Sequence, residues 1–488
     1  MRFGVLAVLC LAAPLQAQSF PVEDATLQRI WTLGMDSSET WSLAQTLTDS
    51  IGPRLNASPR HKAGNDWLLS MYRKWGIEAR NEQYGTWRGW DRGVTHLDLL
   101  TPRVRTLEAM MLAWSPGTPR GRAVDAGVIT LPDVADSAAF QRWLPTVRGK
   151  FVLTSQPLLT CRPDTNVKAF ATPENYTRFQ REVTAARDSF SQRLRRTGLQ
   201  TPALHDAIAA AGARGIFTSL WSQGWGVQKI FGTRVTAVPV VDVSCEDYGL
   251  LWRLAERNQG PTVRLTAAAR ALGEVPVFNT IAVIPGTEKP NEYVMLSAHF
   301  DSWDGSSGAT DNATGTVTML EAMRILKQAY ARPKRTILVG HWGGEEQGLN
   351  GSRAFMADHA EIVRGLQALF NQDNGTGRVT TISTSGFPGA GEFFGRWLGR
   401  VPTEISQLIT LRVPGNPPGG GSDMASAVCH GAPGFSLSSI GWEYGTYTWH
   451  TNRDTFDKIM FDEIRNNATL TAMMAYLASE DPETMPRD

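Results

Sequence analysis

Apolar positions recur at helical spacing through residues 24–76, in TWSLAQTLTDSIGPRLNASPRHKAGNDWLLSMYRKWGI, until Gly52 and Pro53 interrupt them. The pattern predicts helices on either side of that break. After about Val275 the rhythm changes to apolar runs of strand length: NTIAVIP, EYVMLSA, RTILVG, LQALFNQ and GFSLSS. Between the second and third, Met319, Met323, Leu326 and Tyr330 mark one face of a helix, and a last helical stretch closes the chain. Alternation of strand and helix predicts an α/β fold, a mixed, largely parallel sheet flanked by helices.

Around residues 116–119 the chain turns to Gly and Pro, and the text to about residue 275 reads differently. Short strands such as AGVITL, GKFVLT, RGIFTSL and AVPVVDVS lie among loops, which predicts a β-rich domain at 116–275 inserted between two parts of a main domain, 18–115 and 276–488. Within the insertion Phe179, Val183, Ala186, Phe190 and Leu194 fall at helical spacing among arginines, predicting an amphipathic helix with a solvated polar face. No internal repeat is visible.

Length agrees with two domains, since 488 residues at 42% hydrophobic content exceed one ordinary core. A formal charge of +1, from 48 basic and 47 acidic residues, provides no footprint for nucleic acid or an anionic membrane. The sixteen tryptophans are core residues in the main, with some as candidates to line a cleft. At the start, Arg2 precedes an apolar run over residues 3–13, then Pro14 and Ala17, which predicts a signal peptide at 1–17 and a secreted or periplasmic protein. No later apolar run reaches the eighteen or so residues of a membrane span. Cys10 would leave with the signal, and Cys161, Cys245 and Cys429, odd in number and without CxxC spacing, are expected to be buried thiols.

The candidate chemistry follows the ends of the strand-like runs. His299 stands in SAHFDSWD, Asp311 in TDNATG, Glu345 and Glu346 in GGEEQG, Asp373 in NQDNG and His450 in YTWHTNRDT. Loops at the carboxyl ends of strands converge in open α/β sheets, so these distant residues have a common place to meet. Two histidines and three carboxylates suffice for two zinc ions, which make hydroxide available near neutral pH and polarise a carbonyl, as amide hydrolysis requires.

Each residue also has a plainer reading. Asp301 is expected to fix the tautomer of His299 by accepting its other ring N–H, although such a pair taken alone is more often an ordinary hydrogen bond. Asp311 opens a helix, where a carboxylate serves equally as an N-cap. Adjacent Glu345 and Glu346 in a glycine-flanked loop can point apart, one to a metal and one to a water whose proton it takes, whereas an isolated pair would be solvated surface. Asp373 has a turn role beside Asn374 and Gly375 as its alternative. A lone histidine such as His450 is usually packed rather than ligating, and Asp454, four residues on, is a candidate to orient it. His341 is expected to pack at a strand end, with a supporting role beside the nearby Glu345 as its alternative. HExxH, GxSxG, GxGxxG and P-loop motifs are all missing from the sequence.

Taken together, AHFDSWD, TDNATG, GGEEQG, QDNGTG and WHTNRDT resemble the di-zinc exopeptidase family of bacterial leucyl-type aminopeptidases and glutamate carboxypeptidases, with HFDSWD, RPKRT and EEQG nearest the plasma glutamate carboxypeptidase branch. The likeness runs from IGPRLNASP to the final helix, and the insertion with VPVVDVS resembles a protease-associated domain. It implies the zinc-dependent exopeptidase fold, one zinc on His299 and Asp373, another on Glu346 and His450, and Asp311 bridging both. It further implies a metal-bridged hydroxide, Glu345 as general base and a cis Asp311–Asn312 peptide, and Asp301, through its hold on His299, is expected to support catalysis. The expected substrates are short peptides or dipeptides, and relatives that dimerise make a homodimer the expected assembly.

The chain departs from that pattern in two places. Many relatives carry a tyrosine before the last histidine ligand, and this chain has Trp449, leaving Tyr444 or Tyr447 to contact substrate and its developing oxyanion. The late glycine loop reads GSDM, so Asp423 is kept as a substrate-side candidate while Met424 replaces a usual histidine. Non-catalytic receptor ectodomains and glutaminyl cyclases share the fold, but the former typically lose ligands and the latter generally use one zinc without an insertion.

Overall fold

The computed structural model describes residues 24–487, so the signal-peptide expectation at 1–17 lies outside the described residues. The first helix, Ala25–Trp31, is capped by Asp24, whose carboxylate accepts from the Thr26 and Leu27 amides. The helical run stops at Gly52, whose φ of +81° suits glycine, and resumes at Pro59–Lys74 behind the Ser58 cap. The break at Gly52 and Pro53 is therefore where the sequence placed it.

Four of the expected apolar runs form parallel neighbours at the centre of the sheet: Gly434–Ser439, Leu366–Asn371, Lys289–His299 and Arg335–Trp342. Residues 294–299 of the third strand are all buried, as fits a strand covered on both faces. Helices Thr314–Ala329 and Phe461–Glu480 pack together against one face, in a core that includes Leu296, Val339, Phe370, Leu320 and Met473. A smaller cluster on the strands' other side chains joins Met295, Leu338 and Trp342 to Phe355 and Met356 of helix Asn350–Asp358. Antiparallel strands complete the sheet, which is mixed as expected.

Two long strands, Glu78–Thr101 and Thr262–Ile284, pair antiparallel along most of their length and carry the sheet outward. Their outer halves belong to a second core, where Trp90, Leu97 and Leu265 meet Phe151, Phe217 and Val241. Here Val124–Thr130, Phe151–Leu153, Gly215–Thr218 and Val240–Val243 run parallel to one another, matching the four short strands read from the sequence. The region is not chiefly β, however. Helices Pro173–Arg196, Thr201–Ala210 and Cys245–Glu256 account for more of it than its strands do, the first two lying in the crossover between the parallel strands Phe151–Leu153 and Gly215–Thr218. The first of these is the expected amphipathic helix, with Phe190 buried.

The cysteine expectation is corrected. Cys161 and Cys245 form a disulfide across 84 residues, and Cys429 is exposed. The fold brings the loop after Phe151–Leu153 to the start of helix Cys245–Glu256, a proximity that sequence spacing does not carry. Among the described residues no helix is long and apolar enough to cross a membrane.

Candidate metal centre

His299 is the last residue of its strand and pairs in register with Trp342 at the end of the neighbouring one. Glu345 and Glu346 lie three and four residues past Trp342, after Gly343 and Gly344, and Asp373 lies two residues past the adjacent strand Leu366–Asn371. Asp311 sits in the irregular turn Ala309–Ala313 that leads into helix Thr314–Ala329, and its peptide bond to Asn312 is cis, as the resemblance implied. His450 comes from a loop after the short turn Tyr444–Tyr447. One rim of the sheet thus collects all six residues.

The distances place them in two groups that share Asp311. His299 Nε2 is 3.1 Å from Asp373 Oδ1 and 3.3 Å from Asp311 Oδ1. His450 Nε2 is 3.1 Å from Asp311 Oδ2 and 3.0 Å from Glu346 Oε2. Each trio could hold a metal ion, with donor atoms within 4.8 Å of one another. Asp311 turns one carboxylate oxygen to each histidine, which an N-cap would not do. Capping falls instead to Asn312, whose Oδ1 accepts from the Gly315 amide and whose Nδ2 donates to Gln372 O. Gly315 is required there, since a Cβ would stand 2.4 Å from Asn312 Oδ1.

The charges fit a cation. Burial pushes Glu346 up to about 7, and Asp311 adds to the rise against the His450 imidazole. Glu345 lies well above the carboxylate range, first because of burial, against the attraction of His299 and with Asp373, Asp423 and Glu346 adding to the rise. Burial lowers His299, yet Asp373, Glu345 and Asp311 hold it well above the usual imidazole value. Glu346 Oε1 is buried without a hydrogen-bond partner among the described residues. Two imidazoles ringed by this many carboxylates form a donor set suited to zinc, as imidazole nitrogens and carboxylate oxygens are its ordinary ligands.

The carboxylates around the ligands are arranged differently from expectation. The His299 Nδ1–H donates to the Asp301 backbone carbonyl at 3.0 Å, while the Asp301 carboxylate accepts from the amides of Glu345 at 3.0 Å and Glu346 at 3.3 Å. Asp301 therefore fixes the tautomer with its main chain and the glutamate loop with its side chain. Asp454 does not orient His450; its two oxygens accept from the Thr310 and Asp311 amides at 2.7 and 3.0 Å. The carboxylate holds the turn that presents Asp311.

Of the two tyrosines, Tyr444 faces the centre. Its ring packs on Gly375, two residues from Asp373, and burial together with Asp311, Asp373, Asp454 and Glu346 raises its hydroxyl well above the phenol value. Tyr447 packs on Gly224. Asp423 is fully buried and pushed up to about 7 by that burial, within the electrostatic reach of His299, Asp373 and Asp301. His341 is buried at its strand end, where its Nε2 lies 2.6 Å from the Tyr72 hydroxyl.

Sequence reading missed Arg54, which is fully buried beneath the centre. Its guanidinium donates to the carbonyls of Gly52, Phe300, Ser307 and Gly308, tying the loop after His299 to the first helices. The GPRLN segment carried it, but nothing in a lone arginine tells which carbonyls it will meet.

The family model described as peptidase family M28 matches residues 279–475, a span that contains both groups that could hold a metal ion. Carboxypeptidase Q of Mus musculus is 26% identical over 441 residues, covering 90% of this chain and 86% of its own length. Among solved structures, the peptidase M28 precursor of Shewanella amazonensis SB2B aligns with a TM-score of 0.66 at 22% identity, covering 94% of this chain and 97% of that one. BSAP, a zinc aminopeptidase from Bacillus subtilis, aligns with a TM-score of 0.56 at 19% identity, covering 90% and 93%. Both structural likenesses bear on the fold.

Proposed function

We propose that this chain, a zinc-dependent metallopeptidase of the M28 exopeptidase family, holds two zinc ions and hydrolyses short peptides from an end, with dipeptides as the favoured substrates. The observation that carries the reading is the split carboxylate of Asp311, one oxygen toward His299 and the other toward His450. In that reading His299 and Asp373 hold one ion, Glu346 and His450 the other, and Asp311 bridges them. Zinc so held supplies an activated water and polarises the scissile carbonyl.

The remaining groups handle protons and charge. Glu345, buried and with no ligand role, takes the proton of the attacking water and returns it to the departing amine. Asp301 keeps Glu345 in place through its amide. The Tyr444 hydroxyl donates to the oxyanion as it forms, in the position that Trp449 cannot serve. Likeness to carboxypeptidase Q over most of both chains supports a dipeptide or short-peptide substrate. We read the second core as a protease-associated domain, packed against the loop of His450, which supports short substrates. Export fits the first seventeen residues and the Cys161–Cys245 disulfide, a bond that persists in oxidising compartments.

The test is an assay on dipeptides, leucine amide and N-terminal glutaminyl peptides, with and without a chelator. Release of free amino acids from dipeptides, lost on chelation and restored by zinc, is expected. Turnover that survives complete metal removal, or cyclisation of the glutaminyl peptide alone, would overturn the reading.

A further inference from the structure

The two histidines of the centre are oriented by different means. The His299 ring is fixed in the usual way, by an Nδ1–H donated to a carbonyl. For His450 Nδ1, no hydrogen-bond partner is present among the described residues. The residue also stands at φ +58°, in the left-handed region that a histidine keeps only where its surroundings over-determine it. Something else must hold both the backbone and the ring.

The ring stacks on Trp449 at 4.0 Å and meets Trp303 at 6.2 Å, and the rest of the hold comes from residues 222–231, which belong to the inserted region. The Ile230 amide donates to His450 O at 2.8 Å, and Lys229 bridges to Thr451 as an isolated antiparallel pair. Lys229 Nζ donates to Trp449 O at 2.9 Å and Gly445 O at 3.1 Å, and lies 4.1 Å from the centroid of the Trp449 ring. Phe231 meets the His450 ring edge to face at 5.1 Å, backed by Trp303 at 5.3 Å from Phe231. The Gln228 amide donates to Asn452 Oδ1 and the Asn452 amide returns a bond to Gln228 O.

We propose that Lys229 and Phe231 are positioning residues for His450, so that the zinc on the Glu346–His450 side is held in place by the inserted region while the zinc on the His299–Asp373 side is not. This rests on the two-zinc reading above. Association between the insert and the main domain is then coupled to one ion of the pair, and substrate chemistry depends on the insert through metal occupancy.

Zinc per chain, measured while the full-length zinc-loaded protein is titrated with a chelator, separates the outcomes. Lys229→Ala and Phe231→Ala are expected to release one equivalent at a chelator concentration at least tenfold lower than wild type, to keep the second equivalent as wild type does, and to retain the wild-type far-UV spectrum. Lys229→Arg, which can still donate to both carbonyls, should restore most of the affinity. Arg264→Ala, which breaks the exposed Arg264–Asp125 pair elsewhere on the inserted region, should release neither ion early. If Phe231→Ala fails to fold, Lys229→Ala at its half-buried position carries the same readout. Wild-type retention of both ions in Lys229→Ala and Phe231→Ala overturns the proposal, and so does parallel loss of both. A wild-type chain that binds one equivalent overturns the two-zinc reading and this inference with it, whereas two equivalents held equally in every variant overturns this inference alone.

Discussion

The Glu345 amide donates to Asp301 Oδ1 at 3.0 Å, so the residue two past His299 sets where the glutamate loop begins. The same aspartate fixes His299 with its backbone carbonyl, and one substitution therefore separates its two duties. Asp301→Ala keeps the carbonyl and removes both amide acceptors. Turnover should fall about 10–100-fold, the usual consequence of losing a group that orients a metal site, with the loss in kcat rather than in KM. Steady-state kinetics on a dipeptide, alongside zinc content, measures it; an unchanged kcat would show that the loop holds its position without Asp301.

Glu345→Gln removes the proposed base while keeping the side chain's volume. A loss of about 10²–10⁴ in kcat is expected, the range that general acid–base catalysis contributes, with both zinc equivalents still bound because the residue is not among the ligands. Loss of zinc together with activity would make Glu345 a ligand and require another base.

The five candidate ligands stood out because their residue types are rare together and three of them, His299, Glu346 and Asp373, end or closely follow apolar runs of strand length, while Asp311 leads into a helix and His450 lies in a later loop. What the neighbouring acids do was less legible, and the reason is physical. Asp301 and Asp454 both stand at spacings that suit a bond to an imidazole, but backbone amides of Glu345, Glu346, Thr310 and Asp311 compete for the same oxygens. Buried amides must find acceptors, and sequence carries no signal for which acceptor each will find. The Cys161–Cys245 pair and the packing of Phe231 on His450 are invisible for a related reason, since each joins segments far apart in the chain that only the folded structure brings together.

Tyr444 and Tyr447 were interchangeable in the sequence and are not so in the fold. Tyr444→Phe should lower kcat about 10²–10³-fold, as removal of an oxyanion donor does, while Tyr447→Phe, on the Gly224 side, should change it by no more than a few fold. Measuring kcat for both variants on one dipeptide decides it, and equal effects would remove Tyr444 from the oxyanion role.

The disulfide closes a loop across 84 residues between the strand Phe151–Leu153 and helix Cys245–Glu256. Replacing both cysteines by serine should lower stability by about 2–4 kcal/mol. The loss should fall on the inserted region, so hydrogen exchange should rise in helices Pro173–Arg196 and Cys245–Glu256 and stay unchanged in Phe461–Glu480. Uniformly faster exchange would mean that the two cores unfold as one unit.

His61 and His341 link stability to pH. Both are fully buried, and burial pushes each imidazole from 6.5 down to about 3, with the Arg54 charge adding to the effect at His61. Each is neutral in the folded chain over the range where the unfolded chain takes up a proton. Their contribution to stability is therefore complete above about pH 6.5 and is lost as the pH falls toward 3, at about 1.4 kcal/mol per unit for each. His341→Gln removes one of the two while leaving a polar group near the Tyr72 hydroxyl. Between pH 7 and pH 5 the wild-type chain should lose about 2 kcal/mol more than this variant in urea unfolding. Acid release of the zinc ligands is common to both proteins, so the difference isolates His341, and equal losses would assign the acid sensitivity to other groups.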